Sequence, residues 1–245
     1  MNKYRNTIEF EVYGTYALFS DPVTRVGGEK STYHIPTYEA VKGIVESVYW
    51  KPTIMWIVDA VRVMNPIQTE TKAIRPISYN GGNELAYYTY LKDVRYQVRA
   101  HFEMNLNHPE LEGDRNEHKH HNIAKRMVQR GGRRDVFLGT RECQAYVEPC
   151  DFGEEKGYYD DMPGEISYGF MYHGITYADE AILPEEKNKM TVNFWYPVMK
   201  QGGVIEYIRP EDCPKKRFIR DMKPRIFGQG KFSGLQEFSG EEAFE

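Results

Sequence analysis

Residues 95–105 alternate with a period of two. Tyr96, Val98, Ala100, Phe102 and Met104 fall on one side, and Arg95, Gln97, Arg99, His101 and Glu103 on the other. Successive side chains of a strand point to opposite faces, so this pattern predicts a strand with one apolar face and one polar, partly basic face. The apolar face must be covered by a second layer.

Shorter patterns place the neighbours. Residues 7–13 alternate, with Ile8, Phe10 and Val12 on one side, and predict a first strand. After a long loop over residues 20–36, Thr37 can cap a helix whose apolar stripe is Val41, Ile44, Val45 and Val48. Pro52 disfavours helical geometry at Lys51 and puts Tyr49 at that helix's C-terminus. Residues 54–64, rich in β-branched and apolar side chains, predict a buried second strand. A second helix runs from Asn116 as cap to Arg130 and is closed by Gly131-Gly132, and short strands follow over residues 135–138 and 144–147. The order strand, helix, strand, strand, helix, strand is that of a ferredoxin-like, RRM-like fold, an α+β class, over residues 1–150. Residues 151–165 read as a polar, glycine-bearing linker or loop. Residues 166–173, 190–199 and 204–208 are strand-like without helices between them, so residues 151–245 are expected to form a small antiparallel β-sheet domain ending in an acidic tail at 237–245.

Composition limits the function classes. The 245 residues are 40% apolar and 14% aromatic with a net charge of −4, too rich in aromatics for a disordered chain. The N-terminus lacks the apolar stretch of a secretory signal, which makes a cytoplasmic, membrane-free location the expectation. Cys143, Cys150 and Cys213 are odd in number, show no Cys-x-x-Cys spacing and read as reduced structural thiols. Charge is unevenly spread: residues 115–134 hold seven Lys/Arg against one acid, so that window is +6 and the rest of the chain −10. His118, His120 and His121 lie inside it. Such a stretch suits a local anionic ligand, and equally a solvated helix face.

The residues of that window could serve phosphate chemistry, although adjacent Lys-His-His is weakly specific by itself. Cleaving RNA without a metal takes a base for the 2′-hydroxyl proton, an acid for the leaving 5′-oxygen, and a cation for the anionic phosphorus. Histidine, with an ordinary pKa of ~6.5, suits the proton transfers, and lysine suits the charge. Lys119, His120 and His121 are therefore the candidate site, although adjacent helical residues point in different directions and at most one of the two histidines can aim at a given phosphate. A metal site is disfavoured, because the histidines lack i, i+4 spacing and no His-Glu-x-x-His occurs. Gly27-Gly28-Glu29-Lys30 lacks the full phosphate-loop pattern and reads as a flexible loop. Gly131-Gly132-Arg133-Arg134 reads either as a phosphate contact or as a helix cap followed by surface arginines. An aromatic, basic sheet face is a common RNA platform, but sheet faces more often pack within their own protein.

Longer strings carry a family resemblance. Asp21-Pro22-Val23-Thr24, Pro36-Thr37-Tyr38-Glu39-Ala40-Val41-Lys42-Gly43-Ile44, Glu46-Ser47-Val48-Tyr49-Trp50-Lys51-Pro52-Thr53, Tyr88-Thr89-Tyr90-Leu91-Lys92-Asp93-Val94, Gly131-Gly132-Arg133-Arg134-Asp135-Val136-Phe137-Leu138-Gly139 and Arg209-Pro210-Glu211-Asp212-Cys213-Pro214 resemble the CRISPR-associated Cas-five family of the type I-C (Dvulg) subtype. The resemblance spans essentially the whole chain. It implies a metal-independent endoribonuclease, without cofactor, that cuts precursor CRISPR RNA at the 3′ base of the repeat hairpin. The enzyme would leave a 2′,3′-cyclic phosphate, stay bound to the crRNA 5′ handle, and join the other subunits of the type I-C interference complex. It implies catalytic roles for Tyr49, in the Tyr-Trp-Lys-Pro string, and for Lys119 and His120, in the Asn-Glu-x-Lys-His string, with the division of acid and base work between Tyr49 and His120 left open. Arg126, Arg130, Arg133 and Arg134 are the expected RNA-binding residues. The competing expectations are a non-catalytic handle-binding subunit and a metal-dependent hydrolase using the histidines.

Overall fold

The computed structural model describes residues 5–77, 81, 82 and 84–227; the acidic tail expected over 237–245 lies outside these. Its elements are β1 (Ile8–Ala17), α1 (Pro22–Arg25), α2 (Tyr38–Val48), β2 (Ile54–Val63), β3 (Thr69–Ile74), β4 (Ala86–Met104), α3 (Glu117–Gln129), β5 (Val136–Phe137), β6 (Gln144–Pro149), β7 (Ile166–Ser167), β8 (Met171–Thr176), β9 (Lys189–Trp195), β10 (Val198–Lys200), β11 (Val204–Glu206) and β12 (Lys215–Asp221). This is an α+β fold of antiparallel strands with few helices. The larger sheet runs β5-β6-β1-β4-β2-β11-β10-β7, with β3 pairing β4 off that path, and the smaller one runs β12-β9-β8.

β4 is the spine. Its C-terminal part pairs with β1 on one side (Phe10↔Val98) and β2 on the other (Trp56↔Phe102), while its N-terminal part forms a hairpin with β3 (Thr71↔Thr89). The alternating segment at 95–105 is therefore one half of a 19-residue strand. The other half gives no periodic signal because β3 has no buried side chain to impose one.

The apolar face of β1, β4 and β2 is covered by α2 and α3. Thr37 caps α2 as its sequence predicts, its hydroxyl accepting from the Ala40 amide at 3.1 Å, and Val41, Ile44, Val45 and Val48 are buried beneath the helix. On α3 only His120, Ala124 and Val128 are buried, a stripe at i, i+4, i+8 that puts His120 in the core. Trp56, Phe102, Phe10 and Tyr38 are fully buried there, each worth ~1.5–3 kcal/mol of transfer free energy.

The polar face of the same strands is covered by the chain's own residues. Arg95 pairs with Glu11 at 2.7 Å and with Glu155, Gln97 accepts from the Gly153 amide at 2.9 Å, and Arg99 lies 4.3 Å from the Phe152 ring centre. Arg62 reaches Asp160 at 2.7 Å. Residues 152–160 thus occupy the face that an aromatic, basic RNA platform would have used.

Beyond Cys150 the strands divide between the two sheets. The run at 166–173 breaks at Gly169, whose φ of 70° turns the chain from β7 in the larger sheet to β8 in the smaller. The run at 190–199 breaks at Tyr196-Pro197, between β9 and β10, which likewise lie in different sheets. Both crossings lie inside runs that read as single strands.

The smaller sheet leans on α2. His173 stacks on Tyr38 with ring centres 4.3 Å apart and donates from Nε2 to the Ile208 carbonyl at 2.9 Å, while Lys42 of α2 pairs with Glu180. His173 is fully buried and its Nδ1 has no partner among the described residues. Burial pulls its pKa down to about 4. As pH falls from 6.5 toward 4 the unfolded chain takes up a proton that the folded imidazole refuses, so stability is complete above pH 6.5 and declines through that window by up to ~3 kcal/mol. Urea titrations from pH 7.5 to 4.5 check this, and His173→Gln is expected to flatten the slope.

Candidate active site

Tyr49 and His120 come from the facing ends of the two helices. Tyr49 is the extended C-cap residue of α2; its amide donates to the Val45 carbonyl at 3.0 Å and its carbonyl accepts from Trp56 Nε1 at 2.7 Å. His120 lies in the first turn of α3, which is fixed by Asn116, whose side chain accepts from the Lys119 amide at 3.0 Å. The Tyr49 hydroxyl and His120 Nδ1 are 2.7 Å apart.

The second histidine nitrogen fixes the direction of that bond. His120 Nε2 is 2.8 Å from the backbone oxygen of Asp114, and a carbonyl only accepts, so Nε2 carries the proton. In the neutral ring Nδ1 is then an acceptor, and the Tyr49 hydroxyl donates to it. Burial, and then the charge of Asp114, raise the Tyr49 pKa, with Arg133 opposing them, so the hydroxyl keeps its proton at neutral pH.

Asp114 joins the third residue to this pair. Its carboxylate accepts from Lys119 Nζ and from Thr53 Oγ1 (2.8 Å), and its Oδ2 lies 3.5 Å from His120 Nε2. The Lys119 hydrogen bond, foremost, holds the Asp114 carboxyl below its ordinary pKa. Lys119 is exposed, while Tyr49 and His120 are buried behind it. The site is therefore layered, with an ion pair at the solvent edge and a tyrosine–histidine hydrogen bond inside. Sequence patterns do not point to Asp114 or Thr53, since Asp114 ends a 3-10 turn over Pro109–Asp114 and no spacing rule links it to Lys119.

The remaining candidates surround this centre. His121 turns away, its Nε2 donating to the Thr7 carbonyl at 3.0 Å, and His118 lies 3.2 Å from Arg5. Among the described residues no three His, Cys, Asp or Glu side chains converge as metal ligands. Arg126, Arg130, Arg133 and Arg134 are exposed and make no ion pair among the described residues. Gly131 and Gly132 close α3 with φ of 80° and 108°, and the Gly132 amide donates to the Met127 carbonyl at 2.8 Å. The Arg133 and Arg134 amides donate to the Val48 and Ser47 carbonyls at 3.1 Å, which caps α2 from outside. These two amides are engaged with α2, and the arginine side chains are left exposed.

The family model Cas_Cas5d, described as CRISPR-associated protein (Cas_Cas5), matches residues 7–205. The chain belongs to the Cas5 family. Two relatives named CRISPR pre-crRNA endoribonuclease Cas5d match this Cas5 chain: one from Mannheimia succiniciproducens, 26% identical over 70% of this chain and 86% of its own, and one from Thermus thermophilus, 25% identical over 73% and 77%. A crystal structure of a CRISPR-associated protein superposes with a TM-score of 0.72 at 34% identity, covering 86% of this chain and 96% of its own. The functionally uncharacterized protein SMU1763c from Streptococcus mutans gives 0.71 at 33%, covering 88% and 100%.

The buried bond sets a stability expectation. Tyr49→Phe strands the His120 Nδ1 acceptor in the core and is expected to cost ~1–3 kcal/mol in urea denaturation. Lys119→Ala, removing an exposed pair, is expected to cost less than about 1 kcal/mol.

Proposed function

We propose that this Cas5 chain is a metal-independent endoribonuclease that cuts precursor CRISPR RNA at the 3′ base of the repeat hairpin and then holds the crRNA 5′ handle within the type I-C interference complex. The observation that carries this reading is the 2.7 Å bond between Tyr49 and His120, with Lys119 tied to the same knot through Asp114. The pre-crRNA endoribonuclease names of its relatives support the same substrate. The order β6-β1-β4-β2, with α2 and α3 on one face, supports the ferredoxin-like reading of residues 1–150, to which the catalysis is assigned, leaving residues 151–245 as the C-terminal β-sheet part.

The bond directions suggest how the proton moves. Tyr49 takes the proton of the RNA 2′-hydroxyl as it passes its own to His120 Nδ1, and the 2′-oxygen attacks the adjacent phosphorus. The 5′-oxygen leaves from the opposite side and is protonated from solvent, giving a 2′,3′-cyclic phosphate and a 5′-hydroxyl. The scissile phosphate takes the place of the Asp114 carboxylate on Lys119, whose ammonium group then meets the charge that develops at phosphorus. That exchange also opens the buried pair to the substrate.

The test is cleavage of a labelled repeat hairpin in EDTA. Wild-type protein is expected to cut; His120→Ala, Tyr49→Phe or a 2′-deoxy nucleotide at the cut should lower the rate by ~10²–10⁴-fold. Tight binding without cleavage by any protein, even after metal is restored, would instead support a handle-binding subunit. Cleavage abolished by EDTA would support the metal-dependent hydrolase.

Arg126, Arg130, Arg133 and Arg134 are assigned to the duplex phosphates of the hairpin. Replacing all four with Gln should reduce the slope of log affinity against log salt by about 3.6, near 0.9 for each duplex phosphate no longer neutralised. Equilibrium binding at several salt concentrations measures it, and an unchanged slope would remove these residues from the interface.

A further inference from the structure

The two faces of the smaller sheet differ sharply. Its inner face, with Met171, His173, Thr191, Asn193 and Trp195, is buried. On the outer face Phe170 stacks on Phe194 with ring centres 5.1 Å apart and planes 19° from parallel, and Tyr196 lies 5.4 Å from Phe170. Phe170 is 53% exposed and Tyr196 60%. A run of large rings left in water on one sheet face costs transfer free energy unless something covers it.

The neighbouring strand carries the charge. Residues 215–220 of β12 hold Lys215, Lys216, Arg217 and Arg220 and no acid, in a protein whose net charge is −4. Lys215 is directly opposite Phe194 and Arg217 directly opposite Val192, so both cations share the face of the exposed rings. Lys216, on the other face, pairs with Glu186 at 2.8 Å, whereas Lys215, Arg217 and Arg220 are exposed and have no ion pair among the described residues. Lysines on an edge strand also guard against strand-to-strand aggregation. That role accounts for the cations but not for exposed aromatic rings beside them.

We infer that the outer face of the β8-β9-β12 sheet is a binding platform for single-stranded RNA, with Phe170 and Tyr196 stacking two or three unpaired bases and Lys215 and Arg217 holding the intervening phosphates. Flat rings flanked by unpaired cations fit a strand whose bases are free to splay, and a duplex offers no such bases. The charge favours a polyanion over an apolar protein surface. The identity of the RNA rests on the proposed function: it is the unpaired flank of the precursor hairpin. The inner face of the sheet rests on the Tyr38 end of α2, and Tyr49 is at the other end. Eleven residues of helix and one sheet layer put the platform ~25 Å from Tyr49, within reach of a short single strand.

The test uses the full chain and a labelled, unstructured oligoribonucleotide of about ten nucleotides, read by fluorescence anisotropy. Phe170→Ser combined with Tyr196→Ser is expected to weaken binding about tenfold or more, and Phe170→Tyr, which keeps a stacking ring, to restore most of it. Lys215→Gln combined with Arg217→Gln is expected to lower the salt slope by about 1.4, near 0.7 for each single-strand phosphate. All four positions are exposed, and an unchanged melting temperature shows that the variants fold. The proposal is overturned if neither pair changes oligonucleotide affinity by more than twofold. It is also overturned if the variants keep RNA affinity but lose association with another subunit, which would assign the face to a protein. Hairpin cleavage by the wild type is read in parallel: its absence, with platform-dependent binding intact, would remove the nuclease reading and leave this one standing.

Discussion

A hydrogen bond buried between two helix ends organises this molecule. Tyr49 and His120 each sit where a helix meets the sheet, and each has its remaining polar atoms tied to backbone or indole partners: the Tyr49 carbonyl to Trp56, and His120 Nε2 to the Asp114 carbonyl. Inside a protein such a chain is all or nothing, because an unmet donor or acceptor there costs more than the bond is worth at the surface. Correct docking of α2, α3 and the 3-10 turn before α3 is therefore a condition for burying either side chain. The candidate site and the packing of the first layer are the same contacts.

Much of that layer could be read from the chain. Thr37, Asn116 and Gly131-Gly132 bound their helices as local cap chemistry requires, and the period-two strand carried its own facing rule. The elements that escaped were those whose form depends on distant partners. The β3-β4 hairpin has no apolar face, and the crossings at Gly169 and at Tyr196-Pro197 lie inside runs that look like single strands. For the site, the three residue identities carried by family resemblance came together through Tyr49–His120 and Asp114–Lys119, while Asp114 and Thr53 were invisible because their role exists only in three dimensions. His121 illustrates the converse: adjacent in sequence and chemically equivalent, it turns about 100° round the helix and bonds to Thr7.

The two sheets resolve their spare faces in opposite ways. The larger one folds residues 152–160 back over its charged face, neutralising Arg95 and Arg62 with carboxylates and satisfying Gln97 with a backbone amide. The smaller one leaves its rings and cations open. A polar face is therefore a poor guide to ligand binding until its own chain has been traced across it, and the distinction rests on which cations retain free hydrogen-bonding capacity.

The loop of Arg133 and Arg134 has a mechanical consequence. Its amides are bonded to the Ser47 and Val48 carbonyls, the last two peptide groups before Tyr49. Any displacement of this loop is therefore passed directly to the backbone from which the Tyr49 phenol projects, so the arginines and the phenol are joined by one short lever.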